Sequence, residues 1–191
     1  MADLNLGGGT LTAGNLVAPG FAGPPAARTN ERIGTPAAAA STLTMTLNTA
    51  YATPIYIADA ATLIEIAVKV TTAIATGLVR LGIYHDDGAL NPSTVLLDAG
   101  TIDASTTGIK PLTISQAVTP GNWWLVAVAQ TAAPGVSSIS GGLTQLPSSG
   151  SDNFASTTTG YTQAGVTGAF ATWAGTRVVA SSCSRVFVRH A

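Results

Sequence analysis

The stretch ATLIEIAVKVTT at residues 61–72 constrains the fold most, because its β-branched content favours a strand over a helix. At strand spacing, Glu65 and Lys69 fall on one face of this stretch. The opposite face carries Ile64, Ile66, Val68 and Val70. We therefore predict a strand with an aliphatic inner face and an outer face whose charges pair across strands or subunits.

Strand-like patterns recur from residue 41 to the end of the sequence. They are STLTMTLNT, TPIYI, GLVRLGIY, TVLLDAGTI, IKPLTIS, NWWLVAVAQ, TRVVAS and SRVFVRH, with weaker hints at SSIS and GAFATW in the stretch 131–176. NWWLVAVAQ is apolar on both faces, as in a central strand. Many short strands with regular turn signals and no helical period predict an all-β fold, either a β-sandwich or a jelly roll.

The first 41 residues have a different character. They contain Gly7-Gly8-Gly9 and Pro24-Pro25 and show no sustained period, so they cannot build a core of their own. They nevertheless carry apolar side chains, among them Leu11, Leu16, Val17 and Phe21. An extended arm that docks on another protein explains both properties, and a disordered tail is the alternative. We therefore predict an irregular N-terminal docking arm at 1–41 and a β domain at 42–191.

Charged residues make up only 9% of the chain, against roughly a quarter in an ordinary soluble domain. The formal net charge of -1 gives no footprint for nucleic acid or for an anionic membrane. A surface with so few charges favours association, so we expect a homo-oligomer. The sequence has no apolar run of about twenty residues and no signal-peptide pattern at its start, which predicts synthesis in the cytoplasm without membrane insertion.

No residue cluster makes a positive case for catalysis, and we expect no enzyme, cofactor or metal site. The stretch His85-Asp86-Asp87-Gly88 fits an Asp-Gly turn better than a metal site, because adjacent side chains on an extended chain diverge. Asp98 and Asp103 fit solvated turn residues better than a carboxylate pair for glycoside hydrolysis. The single Cys183 is expected to be a buried structural thiol.

The aromatic residues are candidates for surface recognition. Trp123 and Trp124 are adjacent, so one should enter the core while the other faces outward, and the sequence leaves open which one does. Trp123 is included among the candidates for surface recognition. Tyr161, Phe170 and Trp173 lie among Gly, Ser and Thr residues, a composition that suits recognition loops. The alternative for all of them is structural: a loop that covers an edge or packs back on its own sheet.

Two stretches carry a family resemblance, VRLGIYHDDGALNPSTVLLDAGTI and TGIKPLTISQAVTPGNWWLVAVAQTAAP. They combine an "R-x-G-I-Y" strand end, an Asp/Gly/Pro loop and "LLDAGT", followed by a "TxSxxxxPGxYWLA"-like segment. The last segment matches Thr113, Ser115, Pro120, Gly121 and Trp124. The pattern resembles β-sandwich modules in the head fibres, tail fibres and spikes of tailed bacteriophages. It covers roughly residues 78–134, and the chain departs from it by having Trp at both 123 and 124.

The resemblance implies a structural component of a virion, with a trimer as the preferred assembly. It also implies that residues 1–41 dock on capsid, collar or tail proteins while the β domain is displayed. A module that binds host-surface carbohydrate is the alternative function, with the loops at 140–176 as its contact surface.

Overall fold

The computed structural model describes residues 32–34, 39–140, 158–174 and 178–191, and every regular element in these ranges is a β-strand. In chain order the strands are β1 Arg32–Gly34, β2 Ala39–Thr44, β3 Thr49–Ile57, β4 Ala61–Thr72, β5 Leu78–Asp86, β6 Pro92–Asp103, β7 Gly108–Val118, β8 Gly121–Ala129, β9 Gly135–Ser140, β10 Gly160–Ala164, β11 Val178–Ala180, β12 Ser182–Ser184 and β13 Val186–His190. Within the described ranges, no helix is long and apolar enough to cross a membrane.

The strands form two antiparallel sheets. One has seven strands in the order β1-β13-β4-β9-β12, with β2 also paired to β9 and β7 also paired to β4. The other has six strands in the order β11-β10-β3-β8-β5-β6. Alternate residues of both sheets share one core, which includes Ile66 and Val68 of β4 and Leu81 and Ile83 of β5. The all-β sandwich predicted from the sequence is confirmed.

Strand β4 follows the predicted alternation except at one end. Ile66, Val68 and Val70 are fully buried, as the pattern requires. The register of β4 shifts between residues 63 and 65 against both β7 and β13. As a result Leu63 enters the core, whereas Ile64, predicted to do so, is only half-buried. Such a shift adds a residue to one strand, and it cannot be predicted from the hydrophobic alternation of the sequence.

The predicted central strand NWWLVAVAQ is β8, whose residues from Trp123 to Ala129 are all buried. A second cluster, of apolar residues on the outer face of the six-stranded sheet, explains why β8 is apolar on both sides. Residues 158–174, which we name the cover segment, contribute to this cluster and pair with β3 through β10.

Two local strand predictions are wrong. GAFATW forms turns and irregular chain instead of a strand, and β10 at Gly160–Ala164 has no counterpart in the prediction. Only Tyr161 of β10 is a large apolar side chain, so the alternating pattern that would identify a strand is missing.

Part of the predicted arm belongs to the sandwich. Strand β1 pairs with β13, and β2 pairs with β9 over its whole length. The β domain therefore includes residues 32–34 and 39–41, which the composition places in the arm. The predicted docking residues Leu11, Leu16, Val17 and Phe21 lie outside the described residues.

Candidate functional site

Basic side chains gather on the outer face of the seven-stranded sheet, where β1, β13, β4 and β7 lie side by side. On β4 and β13 the alternate residues Val68 and Val188 point into the core, so Lys69 and Arg189 point outward. We name this surface the basic face. It consists of Arg32, Glu65, Lys69, Ile109, Arg185, Phe187 and Arg189.

Glu65 binds two of the arginines of the basic face, Arg32 and Arg189. Its Oε1 accepts a hydrogen bond from Arg32 Nε at 2.5 Å, and its Oε2 lies 3.0 Å from Arg189 Nη2. The side chain of Glu65 is only 9% exposed, so the two guanidinium groups satisfy a largely buried carboxylate. The predicted cross-strand pairing of Glu65 is confirmed, since Arg189 lies directly opposite it on β13.

The part of the basic face around Lys69 and Arg185 combines cations with apolar side chains. The guanidinium carbon of Arg185 lies 4.8 Å from the centre of the Phe187 ring, within the range of a cation–π contact. Ile109, opposite Lys69 in the β4–β7 register, is 51% exposed. Arginine and exposed apolar side chains in one patch are typical of protein interfaces.

Acidic side chains gather elsewhere, at the end of the six-stranded sheet where β3 and β5 finish. We name this surface the acidic end. It consists of Tyr56, Asp59, Asp86 and Asp87. Tyr56 is 53% exposed and lies on the sheet face opposite to the core residues Ile55 and Ile57. Asp59 and Asp87 are exposed as well.

The Asp-Gly turn predicted at His85–Gly88 is confirmed by the bonds of its carboxylates. Asp86 Oδ1 accepts the backbone N–H of Gly88 at 2.8 Å, and Asp86 Oδ2 accepts the indole N–H of Trp124 at 2.8 Å. The side chain of His85 turns away and packs on the Trp123 ring, with the ring centres 4.9 Å apart. Among the described residues, no three potential metal-ligating side chains come together.

The aromatic residues proposed for surface recognition are mostly buried, which corrects that prediction. Trp123 lies in the main core and donates its indole N–H to the Thr119 carbonyl at 3.0 Å. Trp124 lies on the other face of β8, where it packs against Tyr161 with ring centres 5.4 Å apart. Trp123 is buried between the two sheets, and Trp124 is buried because the cover segment encloses the outer face of the six-stranded sheet.

Phe170 and Trp173 belong to the same outer cluster. Their rings pack edge-on against Tyr84, at centroid distances of 5.6 Å and 5.8 Å. Trp173 is only half-buried, but Phe170 is buried. The structural alternative, a loop that packs back on its own sheet, describes these residues better than a recognition surface does.

A polar network fastens the cover segment to the sheet, and sequence reasoning missed it. Arg80 Nη1 donates to both carboxylate oxygens of Asp98, at 2.8 Å and 3.0 Å. Asp98 also accepts the backbone N–H of Phe170 at 3.0 Å. Gln130 accepts from Arg80 Nε at 3.1 Å and donates to the Gly168 carbonyl at 2.6 Å. These contacts join strands far apart in sequence, so no local pattern reveals them.

The network changes the pKa values of Asp98, which belongs to it, and of Tyr84, which lies nearby. Burial would raise the pKa of Asp98, but the hydrogen bond from Arg80 and those from the backbone N–H groups of Phe170 and Gly100 outweigh it and lower the pKa. Burial, followed by the Asp98 charge, raises the pKa of Tyr84 well above its usual range. Asp98 therefore acts as a structural anion, in contrast to the solvated turn residue predicted from the sequence.

The other two predicted candidates are structural as well. Asp103 accepts hydrogen bonds from the N–H and the hydroxyl of Ser105, both at 2.8 Å, which lower the pKa of Asp103, as does nearby Lys110 to a smaller extent. Cys183 is buried as predicted, and burial raises the pKa of its thiol to about 12.

The charges of the described residues are thus segregated. The basic face holds four cations and one carboxylate, while the acidic end holds three carboxylates. Of the remaining described charges, Arg80 pairs with Asp98, while Lys110 makes a small contribution to lowering the pKa of Asp103. Among the described residues, most of the charges therefore lie on these two surfaces.

Comparison with known proteins gives no further assignment: no family model, no curated protein and no solved structure matches this chain.

Proposed function

We propose that this chain is a structural, non-enzymatic component of a bacteriophage virion, of the fibre, spike or decoration type. In this role the residues before β1 anchor the chain to capsid, collar or tail proteins, and the sandwich is displayed as a homo-oligomer, preferably a trimer. The proposal rests on the family resemblance described for residues 78–134.

The observation that carries it is the contact between two of the resemblance motifs. Arg80 of the "R-x-G-I-Y" motif forms the ion pair with Asp98 of "LLDAGT", at 2.8 Å. Gly82 of the first motif leaves room for the Phe170 ring, since a Cβ at Gly82 would lie 2.6 Å from it. These motif residues stabilise the sandwich, which supports a structural role for the module.

The internal use of acidic side chains favours the same interpretation. Glu65, Asp86, Asp98 and Asp103 all hold strands or turns in place through the bonds described above. The carbohydrate-binding alternative loses support, because three of its four predicted contact residues are buried. Within its predicted contact region, 140–176, residues 141–157 and 175–176 lie outside the described residues.

Co-sedimentation tests the proposal. Lysate of the host cells in which the particles assemble would be separated on a density gradient, and an antibody against the β domain would locate the chain. We expect the chain to migrate with intact particles and to label their surface in electron micrographs. Recovery of the chain only at the top of the gradient, with particles of normal composition, would refute the virion assignment.

A further inference from the structure

We propose that the loop between β5 and β6, residues 87–91, protects the Asp87–Gly88 bond from rearranging into isoaspartate, and that the chain becomes modified at this bond when the loop opens. The sequence contains this one Asp-Gly pair and no Asn-Gly pair, so it has a single site of this kind. The inference goes beyond the proposed function and does not depend on it.

An aspartate followed by glycine is the aspartyl sequence most prone to this rearrangement, because glycine has no Cβ to hinder it. The backbone nitrogen of Gly88 bonds to Cγ of Asp87 and loses its proton, while a Cγ–O bond breaks and water leaves. The product is a cyclic imide. Water then adds to either imide carbonyl, which restores aspartate or leaves the main chain running through the side chain as isoaspartate. The mass of the chain is unchanged.

Burial does not protect this bond, because it lies at the surface. Asp87 and Gly88 are both exposed, and Gly88 has a φ of 87°. The fold can therefore slow the reaction only by holding the two groups that react, which are the Gly88 nitrogen and the Asp87 carboxylate.

The side chain of Asp86 holds the nitrogen. Its Oδ1 accepts the Gly88 N–H at 2.8 Å, and its Oδ2 accepts the indole N–H of Trp124, also at 2.8 Å. The nitrogen attacks only after it gives up this proton, so its bond to Asp86 has to break first. Because Trp124 is fully buried, the Asp86 carboxylate is anchored to the sheet and does not move with the loop.

The rest of the loop holds the carboxylate of Asp87. Its Oδ1 accepts the backbone N–H groups of Ala89 and Asn91 at 2.7 Å and 3.2 Å, and its Oδ2 accepts Asn91 Nδ2 at 2.7 Å. The backbone N–H of Asp87 also donates to the Asn91 carbonyl at 3.0 Å. One carboxylate oxygen must leave as water in the reaction, and either oxygen has hydrogen bonds to lose. Both reacting groups therefore have to give up bonds before the imide can form.

The modification would disturb the sheet beside the loop. In isoaspartate the main chain includes Cβ and Cγ of the side chain, which makes it longer and removes the carboxylate that accepts from Ala89 and Asn91. Asp86 and Pro92, which close the loop as register partners of β5 and β6, would then lose their spacing. A subunit on a particle outside its host cannot be replaced, so protection of this bond suits the proposed function.

The first experiment compares folded and unfolded forms of the chain. The purified full-length protein is incubated at neutral pH beside the same protein in guanidinium chloride and a synthetic peptide of residues 83–94. Proteolysis, chromatography and electron-transfer fragmentation then quantify isoaspartate at position 87. We expect the folded protein to accumulate it at least about tenfold more slowly than the other two samples, since several hydrogen bonds must break.

The second experiment removes one of these bonds. Asn91→Ala deletes the donor to Asp87 Oδ2 but keeps the backbone N–H of this position, and Asn91→Asp replaces the donor by a like charge. We expect isoaspartate to form about threefold faster or more in both variants than in the unaltered protein. Asn122→Ala is the matched control, because Asn122 is an exposed asparagine outside the loop, and it should leave the rate unchanged. All samples are incubated well below their melting temperatures, and circular dichroism checks that each is folded.

Three results would overturn the inference. One is an equal rate in the folded protein and in the peptide, which would mean that the loop gives no protection. Another is a faster rate in the folded protein, which would mean that the Asp86 carboxylate acts as a base on the Gly88 N–H. The third is a slow rate that neither substitution of Asn91 changes while the variants stay folded, because the bonds of the Asp87 carboxylate would then have no part in it.

Discussion

At the scale of single residues, Gly82 is required because β5 and the Phe170 ring approach each other closely. A Cβ at Gly82 would also lie 2.7 Å from the Leu97 carbonyl, which is backbone and cannot move aside. We expect Gly82→Ala to reduce the free energy of unfolding by about 1–3 kcal/mol, as overpacking does in other cores. Chemical denaturation measures this change.

Gly168 provides a matched control in the cover segment. A Cβ there would meet no atom within 4 Å, so Gly168→Ala should leave the free energy of unfolding nearly unchanged. Equal stability of the two variants would contradict the packing that we assign to Gly82.

The carboxylate of Asp98 makes the free energy of unfolding depend on pH. Its pKa is lowered in the folded state, so its contribution is fully present above the ordinary Asp pKa of about 4 and is lost as the pH falls through the lowered value. Asp98→Asn should reduce the free energy of unfolding at neutral pH by about 1–3 kcal/mol.

Thermal unfolding between about pH 2 and pH 6 checks the sign of this effect. The melting temperature of Asp98→Asn should fall less steeply with acid than that of the unaltered protein. Asp103, whose pKa is also lowered, is present in both proteins and contributes equally. Parallel curves for the two proteins would show that Asp98 is not the acid-sensitive group.

At the scale of elements, the ion pairs of Glu65 hold β1 on the sheet. Among the described residues, strand β1 has three residues and pairs with β13 alone, so the bond from Arg32 to Glu65 is a large part of its attachment. Glu65→Ala should reduce the free energy of unfolding by about 1–3 kcal/mol, because it leaves two arginines without their partner. Hydrogen exchange at the Ile33 amide should accelerate as β1 detaches.

Thr113→Ala is the control for this change, since Thr113 lies opposite Glu65 on β7 and is exposed. It should affect neither stability nor exchange in β1. Normal exchange at Ile33 in Glu65→Ala would show that backbone pairing alone retains the strand.

The elements differ in how far the sequence predicts them. The strand type and inner face of β4 and β8 follow from alternation and β-branched content, because burial on one or both faces is a local property. The shift at Ile64 and the strand β10 depend on pairing partners distant in sequence. The same holds for the site: the pairing of Glu65 and the turn at Asp87-Gly88 were predictable, whereas the contact of Asp98 with Arg80 and the burial of Trp123 were not.

At the scale of the whole molecule, the sandwich includes Arg32–Gly34, and docking on other proteins remains a prediction for the residues before it. Because β1 and β2 belong to the sandwich, the deletion that tests docking should remove residues 1–31 and spare both strands. We expect the truncated protein to keep its β circular dichroism and melting temperature but to be lost from particles.

A milder version replaces Leu11, Leu16, Val17 and Phe21 together with Ser. It should reduce the copy number of the chain on particles, measured by quantitative mass spectrometry, without altering the fold. Normal incorporation of the truncated protein would assign docking to the sandwich. Unfolding on truncation would mean that the first 31 residues are needed for the core or for the subunit interface.

The burial of Cys183 has a practical consequence. It is the only cysteine of the chain, and its thiol is enclosed and held in the neutral form. A maleimide dye added to the native protein should therefore find no target. A cysteine introduced at an exposed position such as Ser115 would become the single reactive group, with the native thiol left in place. Fluorophores could then be attached one per subunit, and energy transfer between neighbouring copies could be followed as they meet.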